Sequence, residues 1–314
     1  AQAMTQDADQ SRLALVTGAT GFVGRQVVLK LVDEGWRVRC LCRSQEKAES
    51  MPWAQFIDSG EVEVFVGDAT DREYVERALD GVEAAFYLLH SMSSGAGFAD
   101  EEAEMARQFG EAAAAQDVAR IVYLGGLHPD GDAENLSEHL ASRVKVGEEL
   151  GAAGVPVAAL QAGVVLGPGS LSFQLLRHVS ERVPAFIAPA WIQNQITPIS
   201  VRDVVHYLVA AADLPSDVSR TFDIGGPDTM PYVDMMQRYT QVVGVRRRPF
   251  FTAPIMTRTL ASWGLGLLTP LGMKEILPIF DSVASDTVLK ERDLEALVGQ
   301  PEGGNQTFEE AIAE

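Results

Sequence analysis

The stretch Thr17-Gly18-Ala19-Thr20-Gly21-Phe22-Val23-Gly24 constrains this chain more than any other. It follows a short apolar run, Leu13 to Val16. It opens a segment with Val23, Val27, Val28, Leu31 and Val32 at helical spacing. A strand, a glycine-rich turn and a helix in that order make a phosphate-binding unit. Gly18 permits the tight turn, Gly21 lets a pyrophosphate approach the backbone, and Gly24 lets the helix pack closely on the strand. The helix start then offers free N–H groups and a favourable dipole to an anion.

Short apolar runs recur after this unit, at Val38–Leu41, Val62–Val66, Ala84–Leu89, Ile121–Leu124 and Val157–Leu160. Amphipathic stretches separate them, around Tyr74–Leu79, Glu101–Ala115 and Leu136–Leu150. Such alternation predicts parallel strands joined by helical crossovers, hence an α/β, doubly wound, mostly parallel Rossmann sheet. Residues 1–12 read as a flexible tail, and 13–167 as the dinucleotide-binding core. Residues 168–314 read as a smaller, mainly helical lobe that adds one core strand near 222–225. That lobe is expected over the carboxyl ends of the strands, where ligands bind in such sheets.

The second strand ends in Arg43-Ser44, with no acid beside them. An acid there would hold the ribose 2′-hydroxyl of NAD; an arginine suits the 2′-phosphate of NADP. NADP(H) is therefore the expected cofactor, with NAD(H) as second choice. Arg25 is a second candidate for the same phosphate; the alternative is that both arginines are solvated surface residues. After the third strand, Gly67-Asp68-Ala69-Thr70-Asp71 suits an adenine edge, and Thr70 or Asp71 suits a helix cap.

Composition narrows the partners. A formal charge of −19 opposes non-specific nucleic-acid binding. Five lysines against twenty arginines fit a GC-rich genome or a salt-adapted source. Cys40 and Cys42 lie two apart on one predicted strand face, and no further cysteine exists to complete a zinc set, so no metal is expected. Buried free thiols fit a cytoplasmic protein. The run Thr259–Met273 is uncharged but, at about 15 residues and interrupted by Pro270, too short to span a bilayer.

TGATGFVG, GDATD, FYLLHSM, SEHLASR, FDIGGPD and the run from LQAGVVLGPGS through ITPISVRDVVHYL together resemble the short-chain dehydrogenase/reductase superfamily. More narrowly, they resemble its atypical NmrA-like branch, which includes predicted nucleoside-diphosphate-sugar epimerases and is related to a nucleotide-binding accessory subunit of respiratory complex I. The resemblance covers nearly the whole chain after residue 12. It implies that Gly18, Thr20, Gly21, Phe22, Val23 and Gly24 line the pyrophosphate. Asp68 and Ala69 would lie by the adenine. Leu88, Leu89 and His90 would lie along the ribose and centre of the cofactor, and Gln161, Ala162 and Gly163 near the nicotinamide.

The superfamily's Ser and Tyr-x-x-x-Lys are missing. Gly125-Gly126 stands where the serine is expected, and Ala141 stands four residues before Lys145. Lys145, on the corresponding helix, remains a candidate for cofactor and catalysis. His90 with Ser91 is the candidate proton donor, since His titrates near neutrality; the alternative is packing at a strand end. Tyr87, Tyr123, His128 and His139 are weaker candidates. Large apolar residues from Pro249 to Phe280, with Trp191, Phe186 and Phe173, suit a small apolar substrate, a protein partner, a peripheral membrane contact or an ordinary lobe core. Three functions result. They are an oxidoreductase on an apolar carbonyl, enone or quinone, a non-catalytic NADP(H) sensor or assembly factor, and a sugar-nucleotide epimerase.

Overall fold

The computed structural model describes residues 11–89, 97–127, 138–182, 186–188, 193–244, 250–252 and 286–314, with Leu260, Trp263 and Leu267. Its first six strands are β1 (Leu13–Thr17), β2 (Arg37–Cys42), β3 (Val62–Val66), β4 (Ala84–Tyr87), β5 (Arg120–Gly126) and β6 (Val157–Ala162). Short strands follow: β7 (Val165–Leu166), β8 (Phe186–Ala188), β9 (Gln195–Ile196) and β10 (Ile199–Ser200). Then come β11 (Arg220–Ile224), β12 (Met230–Pro231) and β13 (Phe250–Thr252). Seven of them form one sheet in the order β11-β6-β5-β4-β1-β2-β3, parallel throughout. The chain winds outward in both directions from β1, so the crevice between the ends of β1 and β4 is the natural ligand site.

Sheets covered on both faces need continuous apolar strands, and all five residues of β1 are buried. On one face lie α1 (Phe22–Asp33) and, from far along the chain, α7 (Val201–Ala211). On the other lie α3 (Arg72–Leu79), α4 (Phe98–Ala115) and α5 (Glu138–Gly151). The remaining helices are α2 (Gln45–Glu49), α6 (Leu171–Arg182), α8 (Tyr232–Val242), α9 (Asp293–Val298) and α10 (Phe308–Ala313). Cys40 and Cys42 are buried free thiols in the α1 face of the core.

Two elements from the second half of the chain join the core. The added strand starts at Arg220 and pairs with β6, and α7 packs beneath the same sheet against α1. Burying the apolar face of α7 needs an apolar partner, and the α1 face supplies one. The C-terminal segment also returns to the core. Buried Asp203 accepts from Gln306 N at 2.8 Å, and Asp223 accepts from Lys290 N at 3.0 Å. The Arg120 guanidinium donates to the carbonyls of Val218 (2.6 Å), Leu214 (3.3 Å) and Pro215 (2.7 Å), tying β5 to the turn before β11. Most of Pro249–Phe280, and Trp191, lie outside the described residues; Leu260, Trp263 and Leu267 are exposed. Among the described residues no helix is long and apolar enough to cross a membrane.

Candidate functional site

The glycine turn is built so that only glycine fits. Gly18 has φ +69°, and a Cβ there would stand 2.7 Å from the Leu88 carbonyl oxygen. A Cβ on Gly24 would stand 1.9 Å from the Gly18 oxygen. Two side chains brace the turn. Thr17 Oγ1 donates to Phe86 O (3.2 Å) and accepts from Leu88 N (3.1 Å), joining the ends of β1 and β4. Buried Trp53 donates its indole N–H to Ala19 O at 3.0 Å. Nothing local in the sequence marks Trp53 for this role, since it lies 34 residues away.

Helix α1 begins at extended, exposed Gly21, with no side-chain cap and no acid in its first turn. Its first N–H groups therefore lack intrahelical acceptors and point outward. Elsewhere, Asp71, Ser200 and Thr307 cap α3, α7 and α10. An uncapped, acid-free helix start beneath glycines fits a pyrophosphate. Phe22 packs on the Gly167 and Gly169 backbone, Val23 packs against the core, and Thr20 sits half-buried within the turn.

A cleft of about 390 Å³ runs from this turn across the strand ends, with Gly18, Arg43, Ala69, Leu89, Tyr123 and Arg143 among its walls. Arg43 is exposed at its mouth. Arg25 leans instead toward Gly169 and is not among the lining residues. Ser44 caps α2 by accepting from Lys47 N (3.3 Å), and Asp71 accepts from Tyr74 N (3.3 Å). Asp68 accepts from both Thr70 N and Thr70 Oγ1 at 2.9 Å, and these bonds hold its carboxyl below the usual range. Leu88 is buried and Leu89 half-buried. At the end of β6, Ala162 O accepts from Leu127 N at 2.9 Å. Gly163 lies against Thr197 O, and Gln161 faces a neighbouring groove beside α5. His90, Ser91 and His128 lie outside the described residues, as does the side chain of His139.

Lys145 does not face this cleft. Its side chain is 55% exposed, and its ammonium pairs with Glu149 at 3.0 Å on the solvent side of α5. The helix phase puts Arg143 on the cleft side instead, with Ser142 and Val146 buried near it. Tyr123 and Tyr87 also line the cleft. Burial pushes both phenols well above their usual range; beside Tyr123 the Arg143 charge pulls the other way. Glu102 is engaged by the Ser142 hydroxyl at 2.8 Å. The sequence signal for Arg143 is its place one helical turn after His139, with Gly126 opposite.

Sheet, turn and cleft define a Rossmann-type fold with an NAD(P)-type nucleotide site. Residues 10–235 match the NmrA-like family, and the chain belongs to it. It is 29% identical to a ceramide reductase of Caulobacter vibrioides over 251 residues, 76% of this chain and 73% of the relative. It is 25% identical to the photosystem II assembly factor Ycf39 of Trieres chinensis over 291 residues, 87% of this chain and 84% of the relative. Among solved structures, the Escherichia coli NADPH-dependent quinone oxidoreductase QOR2 with NADPH aligns at TM-score 0.69. It is 20% identical, covering 96% of this chain and 98% of the other. The triphenylmethane reductase of Citrobacter sp. with NADP(H) aligns at 0.71, 17% identical, covering 96% and 99%.

Proposed function

We propose that this chain is an NADP(H)-dependent reductase of an apolar carbonyl, enone or quinone. The observation that carries this is the cleft itself: an uncapped helix start at one wall, Arg43 at the mouth, and a half-apolar continuation past Tyr123. When bound, a reduced nicotinamide supplies a hydride. The protein's part is to hold and orient. The α1 N–H groups would bind the pyrophosphate, and Arg43 the 2′-phosphate. Ala69 would lie by the adenine, Leu89 along the ribose and centre of the cofactor, and Ala162 and Gly163 near the nicotinamide end, while Gln161 faces the neighbouring groove. Hydride delivery to a conjugated carbonyl relies chiefly on such positioning. The relatives named as reductases support this class. A reducing, cytoplasmic setting suits the buried thiols Cys40 and Cys42.

The test is a calorimetric titration with NADPH and then NADH, followed by a quinone panel monitored by NADPH oxidation. NADPH binding with a clear margin over NADH, and turnover abolished by Gly21→Asp, is the expected result. Failure to bind either nucleotide overturns the proposal.

A second function, a non-catalytic NADP(H) sensor or assembly factor, is favoured by one observation. Gly125-Gly126 and outward-facing Lys145 leave the superfamily's Ser-Tyr-Lys positions without their chemistry. The exposed Leu260, Trp263 and Leu267 side chains would give a protein partner an apolar surface. Tight NADPH binding with no turnover on the panel, and a partner retained in only one redox state, would favour it. Sugar-nucleotide epimerisation leans on the same missing tyrosine, with Ala141 four residues before Lys145.

A further inference from the structure

We infer that Arg143 recognises the oxygen of the substrate, an electron-rich carbonyl or enolate-type oxygen, in the cleft beyond the nucleotide turn. The inference rests on the proposed reductase function. Arg143 is half-buried, yet its guanidinium has no hydrogen bond or ion pair among the described residues. The two most buried arginines are the opposite case. Arg39 donates to Glu63, Ala78 O and Asp80 O, and Arg120 donates to three carbonyls. A guanidinium that lines a cleft with its donors uncommitted is placed to bind an oxygen ligand there. Glu102 lines the same cleft and accepts from the Ser142 hydroxyl.

Gly126 is the complementary feature. A Cβ there would stand 3.3 Å from Arg143 Nη1 and 2.8 Å from Leu140 Cδ2. The absent side chain is what lets the guanidinium lie over the last residue of β5, at the carboxyl end of the sheet. The phosphates of a dinucleotide have their own donors, the α1 start and Arg43, on the far side of β4. Arg143 is therefore left for a different oxygen.

Its chemistry follows from its permanent charge. Arginine does not give up a proton at neutral pH, so it cannot replace a phenol as the acid. It can take charge instead. As hydride reaches the carbonyl carbon, or the β-carbon of an enone, the π electrons move onto oxygen. Arg143 stabilises that oxyanion, and water then supplies the proton. Fixed donors aimed at developing charge in a partly apolar cleft are effective for this purpose.

The test uses lawsone, a hydroxynaphthoquinone that is an enolate anion at neutral pH. Its affinity is measured by calorimetry on NADP⁺-saturated wild type, Arg143→Met and Arg143→Lys, with NADPH affinity measured for each. The expected result is a loss of at least about tenfold for lawsone in Arg143→Met and partial recovery in Arg143→Lys, with NADPH affinity unchanged within about twofold. Should a melting scan show that Arg143→Met unfolds, Arg143→Gln takes its place. Lawsone binding that is absent in wild type, or equal in wild type and Arg143→Met, overturns the inference and leaves the reductase proposal standing. So does a tenfold loss of NADPH in Arg143→Met, which would assign the residue to the cofactor. Wild type that binds no NADPH overturns the proposed function instead.

Discussion

Single side chains in this molecule are selected by what they must avoid as much as by what they touch. Arg43 stands at the cleft mouth with no acid next to it in sequence and the Asp68 carboxylate within electrostatic reach, and its fixed charge suits a phosphate. Replacing it with alanine is expected to weaken NADPH by about tenfold, because an exposed charge-assisted contact is lost. NADH affinity should change less than about twofold, and parallel titrations of the two nucleotides measure the difference. Gly24 is under a harder constraint. A Cβ only 1.9 Å from Gly18 O cannot be absorbed by a side-chain rotation, since the obstacle is backbone. Gly24→Ala should destabilise the fold by about 3 kcal/mol and abolish nucleotide binding, as read by urea unfolding and titration. Both glycine constraints were legible in the sequence, because the turn is local. Arg143 was not, because helix periodicity states which residues share a face and leaves open which face meets the cleft.

Among the elements, α10 shows how a short helix near the chain end is held. Thr307 and Glu310 close a capping box, and Glu309 receives two hydrogen bonds from Arg238 of α8, at 2.7 and 2.6 Å. Those bonds hold the Glu309 carboxyl below the ordinary glutamate value of 4.5. A carboxylate with a depressed folded pKa stabilises the fold above its unfolded pKa and loses that contribution as pH falls through the folded value. Glu309 is about half exposed, so the contribution is at most about 1 kcal/mol. Glu309→Gln should therefore melt slightly below wild type at neutral pH. The two should converge as pH falls below about 4, and a pH series of thermal melts checks this. Thr307→Ala should cost about 1 kcal/mol independently of pH in the neutral range. The main strand and helix order was readable from alternation alone. The membership of α7 was not, since an amphipathic helix does not record which sheet face it will cover.

Across the whole molecule, two features set stability. Arg120 joins β5 to the turn leading into β11 through three carbonyls, and its Nε is buried without a partner. Burial lowers its pKa without neutralising it. Arg120→Met leaves those carbonyls unpaired and should cost about 3 kcal/mol in denaturant unfolding. The formal charge of −19 acts more diffusely. Self-repulsion at that charge is screened over about 10 Å at 0.1 M salt, so the melting temperature should rise with added sodium chloride. A flat response would remove salt adaptation as an explanation of the arginine-rich, lysine-poor composition.

The sequence by itself determined what lies within one turn or one period. The spacing of Gly18, Gly21 and Gly24, the apolar runs of the core strands and a cap at Thr70 or Asp71 all act over a few residues, where backbone sterics decide the outcome. Tertiary structure alone decided what depends on how elements are rotated and stacked. It turned Lys145 to solvent and Arg143 to the cleft, brought Trp53 to Ala19, and drew Gln306 back to Asp203. Helical and strand periods fix faces, but close packing between distant segments fixes which face looks where.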